Sequence, residues 1–145
     1  MMPDSIALVI VTPEKQLLQQ NVADVQMPGE NGYLGILPGH APLMTELGIG
    51  ELSYHDSGGK EPAHIAIIRG FAEVLPERVT ILAETAERAE EIDLQRAKDA
   101  LARAEKRLAA NDPNIDWDRA SVALQRALVR IQVGTTKRSA LVPGP

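Results

Sequence analysis

Hydrophobic and polar positions change their period once along the chain. Ile6–Val11 is an unbroken apolar run rich in β-branched residues, stopped by Thr12-Pro13. Val22–Met27 alternates, with Ala23, Val25 and Met27 on one face and Asp24 and Gln26 on the other. Ala63–Ile68 and Val79–Ala83 are two further β-favouring runs, and Gly58-Gly59 and Pro76-Glu77 read as turns. Short runs separated by turn signals at a spacing of roughly 8–12 residues predict a β-sandwich or barrel and argue against a parallel sheet.

Beyond Glu87 the period lengthens. Residues 87–112 and 114–133 contain no Gly or Pro and are rich in Ala, Arg, Leu, Glu and Lys, all strong helix formers. Leu94, Ala97, Leu101, Ala104 and Leu108 recur at steps of three and four, and so do Trp117, Ala120, Leu124, Ala127 and Ile131. Each set is one stripe of a helix. The breaker cluster 109–114 between them, Ala-Ala-Asn-Asp-Pro-Asn, is short enough to force an antiparallel hairpin.

The two helical stretches repeat one another. Ile92-Asp93-Leu94-Gln95-Arg96-Ala97 is echoed by Ile115-Asp116-Trp117-Asp118-Arg119-Ala120. Asp93 and Asp116 suit N-caps, with Ile92 and Ile115 as hydrophobic staples. The repeat also places Arg96, Arg103 and Arg107 on one side of the first helix and Arg119, Arg126 and Arg130 at matching places on the second. Acids in the second helix stop at Asp118, which leaves Arg119, Arg126, Arg130, Lys137 and Arg138 uncompensated. That flank can be a merely solvated face, or it can meet an anion or an acidic protein surface.

Charge sharpens the boundary. Of 145 residues, the first 86 hold 11 acids and 4 bases, net −7, while the rest hold 9 acids and 11 bases, net +2. The first part also carries 9 of the 11 glycines and 7 of the 10 prolines. Residues 1–86 are therefore expected to form the β domain, 87–133 the hairpin, and 134–145 a disordered tail. Four aromatics and an acidic balance argue against nucleic-acid binding. The absence of cysteine excludes disulfides, thiolate metal sites and a thiol nucleophile. No apolar run reaches the roughly 18 residues of a membrane span, and no secretion signal is expected at the start.

Candidate chemistry is sparse. The glycines of the 28–39 stretch lack phosphate-loop spacing and read as turns needing positive φ. His40, His55 and His64 show no metal-ligand spacing, and no triad pattern is present.

Gly35-Ile36-Leu37-Pro38-Gly39-His40-Ala41-Pro42-Leu43, after Pro28-Gly29 and before Gly48, resembles the signature of the epsilon subunit of F-type ATP synthases. Gly70-Phe71-Ala72-Glu73-Val74, the following Val79–Glu84 run, and Ile92-Asp93 with Arg96-Ala97 complete the resemblance, over about residues 5–133. It implies a flattened all-β sandwich of about ten strands followed by an antiparallel helical hairpin. It further implies a non-catalytic central-stalk subunit, peripheral on the cytoplasmic face of the bacterial inner membrane. Implied partners are the gamma subunit, the c-ring and, in an extended hairpin state, the catalytic beta and the alpha subunits. Contacts to the ring or gamma fall on Gly29, Tyr33, Leu34, Gly35, Pro38 and His40. Tyr33 takes a place that is acidic in some relatives, so a contact carries over there and a salt bridge does not.

The same resemblance implies that the hairpin packs down when hydrolysis is free and extends when it inhibits. No cofactor is required. ATP is implied as a regulatory ligand at Glu87, Ile92, Asp93, Arg96, Ala97, Arg103, Arg126 and Arg130. Two readings of other classes stand beside this one: a free-standing small-ligand-binding sandwich with a helical dimerisation arm, and an enzyme built on His40 and nearby carboxylates.

Overall fold

The computed structural model describes residues 3–59 and 61–141, with side chains as far as Thr136. The chain divides between Glu87 and Arg88 into two compact units.

The first unit is a sheet of six strands: β1 (Ile6–Val11), β2 (Gln16–Gly29), β3 (Gly32–Ile36), β4 (Leu43–Asp56), β5 (Pro62–Val74) and β6 (Arg78–Arg88). Their order is β1-β6-β5-β4-β2-β3, and a further β1–β2 pairing closes the first five into a ring with β3 outside it. Six strands replace the ten implied by the resemblance because four of them run 11–14 residues, long enough to bend and serve two layers. The bends are visible. The β2–β4 register slips between Gln26 and Gly29, and β5 carries Arg69 at φ 59 followed by Gly70 at φ 151. A side chain at Gly70 would place its Cβ 2.1 Å from the Leu82 carbonyl oxygen, so only glycine lets β5 and β6 approach there.

One pairing departs from the antiparallel pattern. β1 and β6 run parallel, Ala7 to Val11 against Arg78 to Leu82, and this pair joins the two ends of the domain. Inward positions of all strands but β3's first residues fill one core, including Ile6, Leu8, Ile10, Val25, Met27, Leu52, Ile65, Ile67 and Ile81. Alternation on β1 is regular, each buried residue being followed by a half-buried one, which is the period-two signature of a strand with one face inward.

The second unit starts with a single 3₁₀ turn, Ala89–Glu91, and contains α1 (Leu94–Ala109) and α2 (Trp117–Leu141). Both N-caps form as the sequence predicts. The Arg96 N–H donates to Asp93 Oδ1 at 3.0 Å and the Arg119 N–H to Asp116 Oδ1 at 3.1 Å. Asn111, at φ 51, turns the chain after α1. Ala97, Ala104, Ala120 and Ala127 are all buried, at 4% exposure or less. Trp117 departs from the expected seam and is 56% exposed: α1 has ended at Ala109, so no α1 residue stands opposite the first turn of α2.

α2 also passes the expected end of the hairpin at residue 133 and continues to Leu141. Gly134 does not terminate it, because its φ is not in the left-handed region that a glycine C-cap uses. Its role is close packing, since a Cβ there would lie 3.3 Å from Leu94 Cδ1 and 3.4 Å from Ile92 Cγ2. Gly134 of α2 thus lies beside the start of α1, and the helices are antiparallel. The remainder of the expected tail, 142–145, lies outside the described residues, as do the side chains of Lys137 and Arg138.

Candidate functional sites

In the first unit the expected contact residues fall on two ends of one strand. Gly29 ends β2, and Gly29 pairs with Gly32, Pro28 with Tyr33, and Met27 with Leu34 across the β2–β3 hairpin. Pro38 and His40 belong to the turn after β3, where the Gly39 N–H donates to the Pro76 carbonyl at 2.7 Å. Leu34 and Pro38 are four positions apart, about 13 Å at strand rise. The structure therefore brings Gly29, Tyr33 and Leu34 together and sets Pro38 and His40 apart from them, with Gly35 between. Of the glycines read as positive-φ turns, Gly32 (φ 135) and Gly39 (φ 85) meet that requirement, while Gly29 and Gly35 do not.

Tyr33 reaches across β2. Its Oη accepts the Glu51 N–H at 3.0 Å, and a Cβ on Gly50 would lie 2.9 Å from that oxygen and 2.6 Å from Pro28 Cβ. Where the β2–β4 ladder lapses, the phenol supplies the acceptor that the strand does not. At the hairpin tip the Glu30 N–H donates to the Glu46 carbonyl at 3.0 Å. A side-chain hydrogen bond that the protonated Glu46 carboxyl donates to Glu30, and then the negative charge of Glu30, raise the Glu46 carboxyl from its ordinary value.

Two of the three histidines pair with carboxylates on the outer face. His55 Nδ1 lies 2.9 Å from Asp24 Oδ1, and His64 Nδ1 is bonded to Glu51. Asp24, Gln26, Gly35, Leu37, Ser53 and His55, with Val25, Ile36 and Pro62, line a cleft of about 410 Å³.

Sequence reading missed an exposed apolar patch on the first unit. Met44 is 66% exposed, Phe71 51% and Leu82 54%. Phe71 stands opposite Glu46, and Met44 opposite Glu73. Counting from the mutually bonded Leu75 and Arg78 puts Phe71 opposite Leu82. The signal was available, because alternation on Val79–Ala83 assigns Leu82 outward once Val79 and Ile81 are inward.

In the hairpin, Ile92 and Ala97 are buried at 4%, and Asp93 caps α1 through Oδ1. Arg96, Arg103 and Arg126 are exposed and Arg130 is half-buried. Glu87 is half-buried near the end of β6 and belongs to the first unit. In both helices each seam alanine is preceded by an arginine: Arg96, Arg103, Arg119 and Arg126. One residue is a rotation of about 100°, in the same sense on both. An antiparallel pair related by a two-fold axis normal to its plane therefore carries both arginine stripes on one broad face. The Gly134–Leu94 approach sets the level, placing Arg130 near Arg96 and Arg119 near Arg107. Such a face can neutralise a polyanion with paired guanidinium forks from two helices.

Comparison with known proteins covers both units. The family model for "ATP synthase, Delta/Epsilon chain, beta-sandwich domain" matches residues 5–89, and that for "ATP synthase, Delta/Epsilon chain, long alpha-helix domain" matches residues 90–134. The ATP synthase epsilon chain of Koribacter versatilis is 56% identical over 112 residues, 77% of this chain and 78% of its own length. That of Solibacter usitatus is 46% identical over 136 residues, 94% of this chain and 100% of its own. Among solved structures, a chain of the Euglena gracilis mitochondrial ATP synthase (OSCP, F1 and c-ring) aligns with a TM-score of 0.70 at 26% identity. That alignment covers 98% of this chain and 84% of the other.

Proposed function

Since the chain belongs to the ATP synthase delta/epsilon chain family, we propose that it is a non-catalytic subunit of the rotating central stalk. It couples proton-driven c-ring rotation to ATP synthesis and inhibits ATP hydrolysis through its hairpin, on the cytoplasmic face of the bacterial inner membrane. The exposed patch of Met44, Phe71 and Leu82 suits the gamma subunit. Gly29, Tyr33, Leu34, Gly35, Pro38 and His40 serve as contacts to the ring or gamma.

The hairpin carries the regulatory part of the reading, and one observation supports it: four of the ten seam positions are buried alanines, each preceded by an arginine. Ala97, Ala104, Ala120 and Ala127 are buried yet each removes little apolar area from water, against the about 1.5–3 kcal/mol of a buried Leu or Ile. A lightly held pair can exchange one packing for another when the two differ by only a few kcal/mol. In the packed state ATP is held by Glu87, Ile92, Asp93, Arg96, Ala97, Arg103, Arg126 and Arg130. In the extended state the arginines meet acidic surface on the catalytic beta and the alpha subunits.

Isothermal titration of ATP into the isolated chain, with Trp117 fluorescence in parallel, tests the ligand. Hydrolysis by the assembled complex, with and without the hairpin, tests inhibition. Saturable binding and a rise in hydrolysis are expected; a flat titration removes the ligand, and unchanged hydrolysis removes the inhibitory hairpin.

A further inference from the structure

The ring of strands leaves one backbone edge open. β3 ends the sheet order, and its far side pairs with no strand among the described residues. Sheet edges in soluble proteins are normally guarded by Lys, Pro, inward charge or a covering element. β3 is Gly-Tyr-Leu-Gly-Ile, with no charge and no proline.

The outer face beside that edge has a notch. Tyr33, Gly35 and Leu37 alternate onto it, the outer two 61% and 65% exposed. Tyr33 leans away over β2 to reach Glu51. Gly35 has neither a positive φ nor any atom within 4 Å of a would-be Cβ. Neither strain nor crowding inside this chain requires glycine there. Its effect is to open the end of the 410 Å³ cleft toward the edge. A strand glycine with no internal reason marks close approach from outside.

We propose that β3 is a strand-addition site for an extended segment of a rotor neighbour. The segment bonds to the open backbone edge and lays an aromatic or large aliphatic side chain across Gly35 into the cleft. Two positions along, on the same face, it carries a basic side chain opposite Leu37. The row Leu37–Asp24–His55 follows from the registers Val25↔Ile36 and Asp24↔His55, so that cation points along the row to Asp24, the one carboxylate among the described residues that line the cleft, among which there is no Lys or Arg. Main-chain bonds supply affinity and the alternate pockets supply specificity, and the ring over Gly35 is the cross-strand packing that stabilises glycine-bearing edges. This inference rests on the assignment of the β3 region as a rotor contact and adds its mode.

The test uses the full chain, ¹⁵N-labelled, titrated with the capped hexapeptide Val-Thr-Phe-Thr-Lys-Val. Expected are shifts concentrated at the amides of Tyr33, Gly35, Leu37 and His55. Affinity should fall about tenfold when the peptide Lys is replaced by Glu and be abolished by N-methylation of the central amides. Gly35→Leu, whose Cβ meets no atom within 4 Å, should weaken binding about tenfold or more while its melting temperature stays near the parent's. Equal binding by Gly35→Leu, indifference to N-methylation, or shifts scattered away from β3 overturns strand addition. Crosslinking from Tyr33→Cys to ring and gamma in the assembled complex reports separately on the rotor contact, so either idea can fail alone.

Discussion

Tyr33 and Glu51 are bonded across an intervening strand: the phenol oxygen of β3 accepts the backbone N–H of β4 at 3.0 Å, over the ring of Pro28 and the bare Cα of Gly50. A side chain thereby completes a ladder that two strands leave open. Tyr33→Phe keeps the ring and removes the acceptor, and should lower unfolding free energy by about 1 kcal/mol. Urea denaturation of the two chains checks this, and an unchanged midpoint refutes a structural bond.

Gly70 and Gly35 make opposite predictions for the same substitution. Gly70→Ala drives a Cβ to within 2.1 Å of the Leu82 carbonyl, at φ 151. It should cost about 3 kcal/mol or more, in the range of severe backbone strain. Gly35→Ala meets nothing within 4 Å and should fall within about 0.5 kcal/mol of the parent. Thermal melts of the two variants separate a glycine kept for the fold from one the fold does not need.

Asp93 has a structural task that can be separated from a ligand one. Asp93→Ala removes the cap on the Arg96 N–H and should destabilise the hairpin by about 1 kcal/mol, while Asp93→Asn keeps a capping oxygen and should cost little. If ATP titration is lost in the Asn variant as well, the carboxylate contributes to ligand binding beyond the cap. If the Asn variant titrates like the parent, Asp93 acts on ATP only through the helix start.

The carboxyl of Glu46 is raised by Glu30, which fixes the sign of a pH effect. A carboxylate with a folded pKa above its unfolded value binds a proton more tightly when folded. Its favourable contribution is present at low pH, where the shared hydrogen bond forms, and is lost as pH rises through the raised folded value. Glu46→Gln should flatten the stability–pH curve where the raised Glu46 carboxyl titrates and leave it unchanged near neutrality apart from a constant offset. Melts between pH 4 and about 7 on both chains decide it.

How much was legible depended on how local each signal was. The helices, their caps and the turn between them were readable because capping aspartates, alanine stripes and the Asn-Asp-Pro breaker act within a few residues. β1 was readable to the residue for the same reason. β3 and β4 were not: Gly32–Ile36 looks like turn material, and only pairing with β2 makes it a strand. The closed ring was hidden too, since it depends on β1 meeting β6 in parallel some seventy residues away. Trp117 was misplaced because its period is right and its partner helix is too short. On the hairpin the arginine stripes were visible in sequence, whereas grouping the outward Phe71 and Leu82, with Met44 on the diagonal, needed the register of three strands.

The division between Glu87 and Arg88 yields the sharpest functional prediction. The first unit holds its own core of buried Ile, Leu and Val from every strand, enough apolar burial to fold without the hairpin. A chain ending at Glu87 should therefore melt cooperatively and still join the ATP synthase complex, because the apolar patch and the β3 region remain. Arg96, Arg103, Arg107, Arg119, Arg126 and Arg130 go with the hairpin, and with them any cationic contact to an acidic surface. Hydrolysis by the assembled complex should rise severalfold, and proton-driven synthesis should persist. The full-length Arg126→Ala/Arg130→Ala variant should show a partial rise in the same assay, since four of the six arginines remain. A truncated chain that assembles with no change in hydrolysis would leave the arginine face as a solvated surface.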